Sequence, residues 1–250
     1  MMIPAILIMG IGTILSWEKV DSKKTVQHII TSMLLTILII LIFFLFYRAF
    51  NILGFVGIAL GSWIICNVFV TIFINITKEN NKKILFSTKI FKHFNSMIVA
   101  HLGVGLLILG ITGSSVWQKE NITRMKVNDE TTINNYNIVF KEIKEQRGPN
   151  YISLEGNFWV YNQEKKIITI LNPENRIYHI TNNTTTEVSI HTNLLRDLYI
   201  VLGEGNLNDG WIVRIYYNPL VIWIWIGVLI IVMGGLLALN NNLKIIRHNN

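Results

Sequence analysis

Four stretches of this chain, 29–47, 52–76, 94–117 and one after Pro219 centred on 221–239, are continuously apolar and contain no Asp, Glu, Lys or Arg. A bilayer core about 30 Å thick needs roughly 20 residues of helix to cross it. Lipid offers no hydrogen bonds to the backbone, so runs of this kind must close their own as helices. The expected class is therefore a polytopic α-helical membrane protein, which 51% hydrophobic and 15% charged residues also fit. A fifth apolar run, 3–15, is too short to span comfortably and follows no basic n-region. It is read as a partial span, the end of a helix whose beginning is missing, and not as a secretory signal.

Charge orients the spans, because Lys and Arg in short loops stay on the cytoplasmic side. Lys78, Lys82, Lys83, Lys89 and Lys92 face a single Glu79 between the second and third spans, the tail 241–250 holds Lys244 and Arg247, and Lys19, Lys23 and Lys24 precede the first span. The alternation of four spans puts all three places on one side. The segment 117–216 has 11 Lys or Arg against 12 Asp or Glu, so the overall +7 and the pI of about 9.5 report topology. That excess suits an anionic cytoplasmic leaflet and gives no reason to invoke nucleic acid. Tyr47, Trp117, Trp223 and Trp225 are expected at the outer ends of spans, with Trp17 and Phe94 at the inner face. The expected organisation is membrane helices over 1–117, an outward-facing domain over 118–217, a last span over 218–240 and a cytoplasmic tail.

Within 118–217 the apolar pattern shortens to period 2, which marks half-buried strands. "YNIVFKEI", "NYISLEGNFWVYN", "KIITIL", "RIYHI", "TTEVSIH", "DLYIVLG" and "WIVRIYY" are separated by turn signals such as "RGPN" and "GEGNLNDG". This reads as an all-β domain, a small barrel or sandwich, with a core from Tyr136, Ile138, Phe140, Phe158, Val160, Ile168, Ile170, Ile177, Leu198 and Ile212. The one cysteine, Cys66, falls in the second span, so the β domain holds no structural disulfide.

His101 stands out, an ionisable group about 10 Å into a core of about 30 Å, counted from Phe94. Such groups face a partner or a cavity. A neutral imidazole there either hydrogen-bonds another helix or serves as an axial ligand to haem iron, which one His cannot complete alone. Ala100, Gly103, Gly110 and Ser114 approximate one small-residue stripe, with Gly105, Thr112 and Ser115 on the His101 side and Gly54, Gly57 and Gly61 in the second span. Such stripes admit a neighbouring helix or a flat macrocycle, helix packing being the commoner cause. His28, His93 and His248 fall at membrane edges, while His179 and His191 fall in predicted strands.

Taken together, "VAHLGVGLLILGITGSS" (99–115), "RGPNY" (147–151), "NPENRIYHI" (172–180), "TEVSIHTNLLRDLYIVLGE" (186–204) and "WIVRIYYNPLVIWIWIGVLIIVMGGLLAL" (211–239) resemble CcmF, the haem lyase family of cytochrome c maturation. Asn175 departs from the family pattern, which has Lys there. Family members are much longer and carry a Trp-rich haem-handling segment upstream, so the chain resembles their C-terminal portion. The resemblance implies a membrane haem b held by two histidines, one matching His101 and the other on the N-terminal haem-lyase portion. It implies covalent attachment of haem to the Cys-x-x-Cys-His motif of apocytochrome c on the outer face, haem b reducing the incoming haem. Implied partners are that N-terminal portion, the haem chaperone CcmE, apocytochrome c and the thiol-handling chaperone CcmH. The implied setting is a bacterial inner membrane with the β domain in the periplasm, or a mitochondrial inner membrane with it in the intermembrane space.

Arg147, Tyr151, Arg176, Tyr178, Arg196, Tyr199 and Arg214 are candidates for docking haem propionates or a partner, since guanidinium groups grip carboxylates bidentately. The same residues read more readily as structure: "RGPNY" serves equally well as a turn, and Asp197 as a neutraliser of Arg196 or Arg214. No catalytic residue is assigned. The alternative function is a non-catalytic, membrane-anchored subunit whose β domain recruits the haem chaperone or apocytochrome.

Overall fold

The computed structural model describes residues 2–13, 22–46, 51–78, 96–180 and 183–248. They form two compact units, one helical and one running from Trp117 to Ile222. The helical unit contains α1 (Ile3–Gly12), α2 (Ser22–Phe46), α3 (Ile52–Lys78), α4 (Ser96–Val116) and α5 (Val221–His248). Among the described residues four helices are long and apolar enough to cross a membrane, and α1 is shorter. α2 starts before the expected span, taking Lys23 and Lys24 into its first turn. Trp17, Tyr47 and the whole of 79–95, with Phe94 and the basic residues after Lys78, lie outside the described residues.

α3 is the centre of the helical unit: 56% of its span is buried, against 11% for α2 and α5. It packs on α1, where Trp63 Nε1 donates to the Leu7 carbonyl (3.1 Å) and a Cβ on Gly10 would overlap the Trp63 ring. Ile98 of α4 is enclosed by Val68, Ile72 and Ile76 of α3. By contrast α2 leaves Leu34, Leu38, Leu41 and Leu45 exposed along one stripe, the face a lipid tail would cover.

The second unit is a sandwich of antiparallel sheets, which decides between sandwich and barrel. One sheet runs β1 (Lys119–Met125), β10 (Gly210–Pro219), β9 (Arg196–Asn206), β8 (Ser189–Thr192). The other runs β2 (Glu130–Ile133), β3 (Tyr136–Arg147), β4 (Tyr151–Tyr161), β6 (Glu174–Tyr178), β7 (Thr184–Glu187), with β5 (Ile167–Leu171) on the second half of β4. Their inner faces meet on Phe140 and Phe158, stacked at 4.5 Å, with Trp211 edge-on to Phe140 at 5.8 Å. Gly156 makes room for them, since a Cβ there would stand 2.7 Å from the Phe158 ring.

Several expectations are corrected. Ile168 and Ile170 are exposed, because the pairing of Phe158 with Leu171 turns Leu171 inward and its alternate neighbours outward. Ile177 faces an open cleft with Ile152 and Leu154, outside the closed core, and Ile212 is half-buried on the outer side of β10. The single predicted strand "TTEVSIH" is two strands in different sheets, broken at Val188. His179 lies in a turn, one residue past β6. β1 and β2 had no expected counterpart; in β1 the lone aliphatic residue, Ile122, points outward and only Met125 reaches the core.

Candidate functional site

α4 spends two of its faces on neighbouring helices. Towards α3 it presents Ile98, Leu102, Gly105 and Thr112: a Cβ on Gly105 would come 2.6 Å from Ile65, and one on Gly57 would overlap Thr112. Towards α5 it presents Gly103 and Gly110, where added Cβ atoms would come 2.6 Å from the Gly227 carbonyl and 2.8 Å from the Ile224 nitrogen. Gly227 and Gly234 reciprocate against Leu107 and Ala100. The small-residue stripes are therefore occupied by helix packing, and the macrocycle reading of them is set aside.

His101 is on neither of these faces. At about 100° per residue, Met97, His101, Val104, Ile108 and Ile111 line a third face, pointing away from both α3 and α5. That face is half-exposed along its length and Ile111 is exposed. The imidazole Nδ1 lies 2.7 Å from the Met97 carbonyl oxygen one turn below. A carbonyl only accepts, so Nδ1 carries a proton, and in the neutral ring the other nitrogen, Nε2, has its lone pair available. This is how ligating histidines are ordinarily oriented: one nitrogen tied to a backbone acceptor, the other free for a metal.

The outer-domain candidates separate into three places. On the outer side of the β4–β6 pair, Arg176 lies over the Tyr151 ring (4.6 Å), and Tyr151 and Tyr178 are 5.6 Å apart. Arg176 Nε also donates to Glu174 at 2.9 Å, with Glu187 at 3.7 Å. That hydrogen bond holds the Glu174 carboxyl below the ordinary carboxylate range and Arg176 above its own. An incoming carboxylate would have to displace one already in place. Arg147 stands apart, exposed beside Glu145 (3.6 Å), and "RGPNY" closes the β3–β4 turn through a Gly148 N–H to Tyr151 carbonyl bond of 2.9 Å.

Tyr199 and Arg214 meet on the outer face of β9 and β10, in an open cleft of about 550 Å³ reached also by Asn175, Thr184 and Tyr216. Tyr199 stacks on Tyr216 at 4.6 Å because the register pairs them. Glu120, accepting from the Tyr216 hydroxyl, raises that phenol's pKa. Tyr216 and Glu120 were not among the expected site residues; the β9–β10 register brings in Tyr216 and the β1–β10 register Glu120.

Arg196 is a correction. It is 1% exposed, with Nε donating to the Tyr136 hydroxyl (3.0 Å) and Nη1 to His191 Nδ1 (2.8 Å) and the His191 carbonyl (2.9 Å). Its charge lies 4.5 Å from the Tyr136 ring centre. Such a side chain is a strut within the sandwich and does not reach a docking partner. Partial burial and the nearby guanidinium push the His191 pKa down, which keeps Nδ1 an acceptor.

A helical unit of membrane-span length that carries His101 on an uncovered face of α4, interrupted in sequence by an antiparallel sandwich, is the architecture the described residues define. Residues 116–219 match the family model for the CcmF C-terminal beta-sandwich. The chain is 32% identical to cytochrome c-type biogenesis protein CcmF of Escherichia coli K12, over 96% of its own length and 36% of that protein's. It is 29% identical to CcmF of Pseudomonas aeruginosa, over 92% of this chain and 35% of the relative. A solved structure of the cytochrome c heme lyase CcmF superposes with a TM-score of 0.70 at 14% identity, covering 94% of this chain and 38% of that one. The chain is thus similar to CcmF proteins along nearly its whole length and spans little more than a third of the relatives it matches.

Proposed function

We propose that this chain supplies the C-terminal part of a haem lyase, with His101 as one axial ligand of a membrane haem b. The observation that carries the reading is the His101 ring: Nδ1 bound to the Met97 carbonyl at 2.7 Å and Nε2 left on the one face of α4 that neither α3 nor α5 covers. The donor set fits one axial position and no more. In this reading the second ligand comes from the N-terminal haem-lyase portion. Bound there, haem b would supply a one-electron carrier inside the bilayer. The chain's own contribution is to hold the imidazole fixed in rotation and to place it on the face of α4 that carries Met97, Val104 and Ile108.

In this reading the sandwich faces the periplasm of a bacterial inner membrane, the relatives reported being bacterial. Its exposed Tyr–Arg surfaces, Tyr151–Arg176–Tyr178 and Tyr199–Arg214, are where CcmE, apocytochrome c or CcmH would dock. The test is co-expression with a chain carrying the remainder of CcmF, followed by a visible spectrum of the purified complex. A six-coordinate b-type signal that His101→Ala abolishes is the expected result. A signal unchanged by His101→Ala removes the ligand assignment. If cytochrome c then matures normally with His101→Ala but fails with Arg214→Ala, the chain is a docking subunit, a reading favoured by the open cleft around Arg214.

A further inference from the structure

The β8–β9 turn, residues 193–195, is closed by its own main chain. Asn193 N–H donates to the Arg196 carbonyl (3.0 Å), and Asn193 Oδ1 accepts from the N–H groups of Leu195 and Arg196, both at 2.8 Å. Arg196, at its base, is locked inside the sandwich. A turn so held has no need of apolar side chains, yet it presents two in succession, Leu194 at 61% and Leu195 at 71% exposed. No charged residue lies between His191 and Arg196.

The position of the turn says what covers these leucines. The Leu195 carbonyl accepts the Leu220 N–H at 3.0 Å, and the next residue begins α5, whose Val221–Leu239 stretch is a membrane span. The register agrees: Arg196 pairs with Pro219 and Asp197 with Asn218, while Lys119, three residues past the end of α4, pairs with Tyr217. Both chain connections to the apolar helices therefore leave from this end of the sandwich. Paired exposed leucines at that level meet acyl chains.

We propose that the β8–β9 turn is a lipid-interface anchor, with Leu194 and Leu195 immersed in the outer leaflet beside the head of α5. It works as a non-covalent attachment of the sandwich to lipid, beside its two chain connections. The inference rests on the membrane topology and is independent of the haem ligand.

The test uses the full chain with Cys66 replaced by Ser, in nanodiscs of phosphatidylcholine and phosphatidylglycerol. A nitroxide is placed at Leu195→Cys, and its collisions with oxygen, which partitions into lipid, are compared with those of a water-soluble nickel chelate. Val221→Cys marks the membrane, and Leu207→Cys, in the β9–β10 turn at the opposite end, marks water. The expected oxygen-to-nickel ratio at Leu195 is severalfold above that at Leu207 and close to that at Val221. A ratio equal to Leu207 overturns the proposal. So does protection from both reagents, which would mean that protein covers the turn. Leu194→Cys repeats the measurement should the first variant fail to fold.

Discussion

His101 and His191 are the same side chain put to opposite uses in the two units. His191 lends Nδ1 to the buried Arg196, so its bonding lies within the sandwich and holds a cation in place. Among the described residues His101 bonds to its own helix, through Nδ1, and lies on a face of α4 away from the glycine contacts with α3 and α5. The difference teaches that an imidazole's availability is set by where its second nitrogen points. Burial does not decide it, since both rings are half-buried. A histidine whose acceptor nitrogen meets a fixed donor is structural. One whose acceptor nitrogen faces away from its neighbours is left for a ligand.

The comparison breaks most sharply in the spectrum of the reconstituted complex. His101→Ala is expected to lose the b-type signal altogether, whereas His191→Ala keeps it and lowers stability; equal loss in both would end the distinction. Next in size is Arg196→Ala, which leaves the Tyr136 hydroxyl and His191 Nδ1 without their donor and opens a cavity. We expect about 3 kcal/mol lost, read by denaturant unfolding of the full chain in detergent. Arg196→Met should cost less, because the apolar stem is kept and the burial of a charge is relieved. A smaller effect, about 2 kcal/mol, is expected from Gly103→Val, which forces α4 and α5 apart; thermal denaturation in detergent with His101 intact would read it.

The smallest expected effect is with pH. The folded-state pKa of His191 is depressed, so the unfolded chain takes up a proton first as pH falls below about 6.5. Stability contributed by the neutral ring is complete above that value and is lost between it and the lower folded pKa. His191→Gln should flatten the stability profile of the sandwich in this window. An unchanged profile would mean that the Arg196 contact does not govern the ring's titration.

Much of the fold was legible because lipid and water impose simple rules. Uncharged runs of helical length and the switch to period 2 after residue 118 were enough for the class, and the innermost residues Ile138, Phe140, Phe158, Val160 and Leu198 follow from alternation. Less legible was which Ile of β5 points inward, because parity depends on its register with β4. The break at Val188 was hidden for a similar reason, since a one-residue change of sheet leaves the alternating pattern nearly intact. Arg196 read as a surface cation because sequence does not show that Tyr136, 60 positions away, closes over it.

By itself the sequence determined that this chain lives in a membrane, carries an inserted β unit and resembles CcmF, since hydropathy and alternation are local properties read residue by residue. The tertiary structure alone decided that the glycine stripes serve α3 and α5, that His101 lies on the remaining face with Nε2 outward, and that Arg196 is a strut. Those facts depend on which surfaces meet across the chain, and contact between distant residues leaves no periodic trace in the order of amino acids.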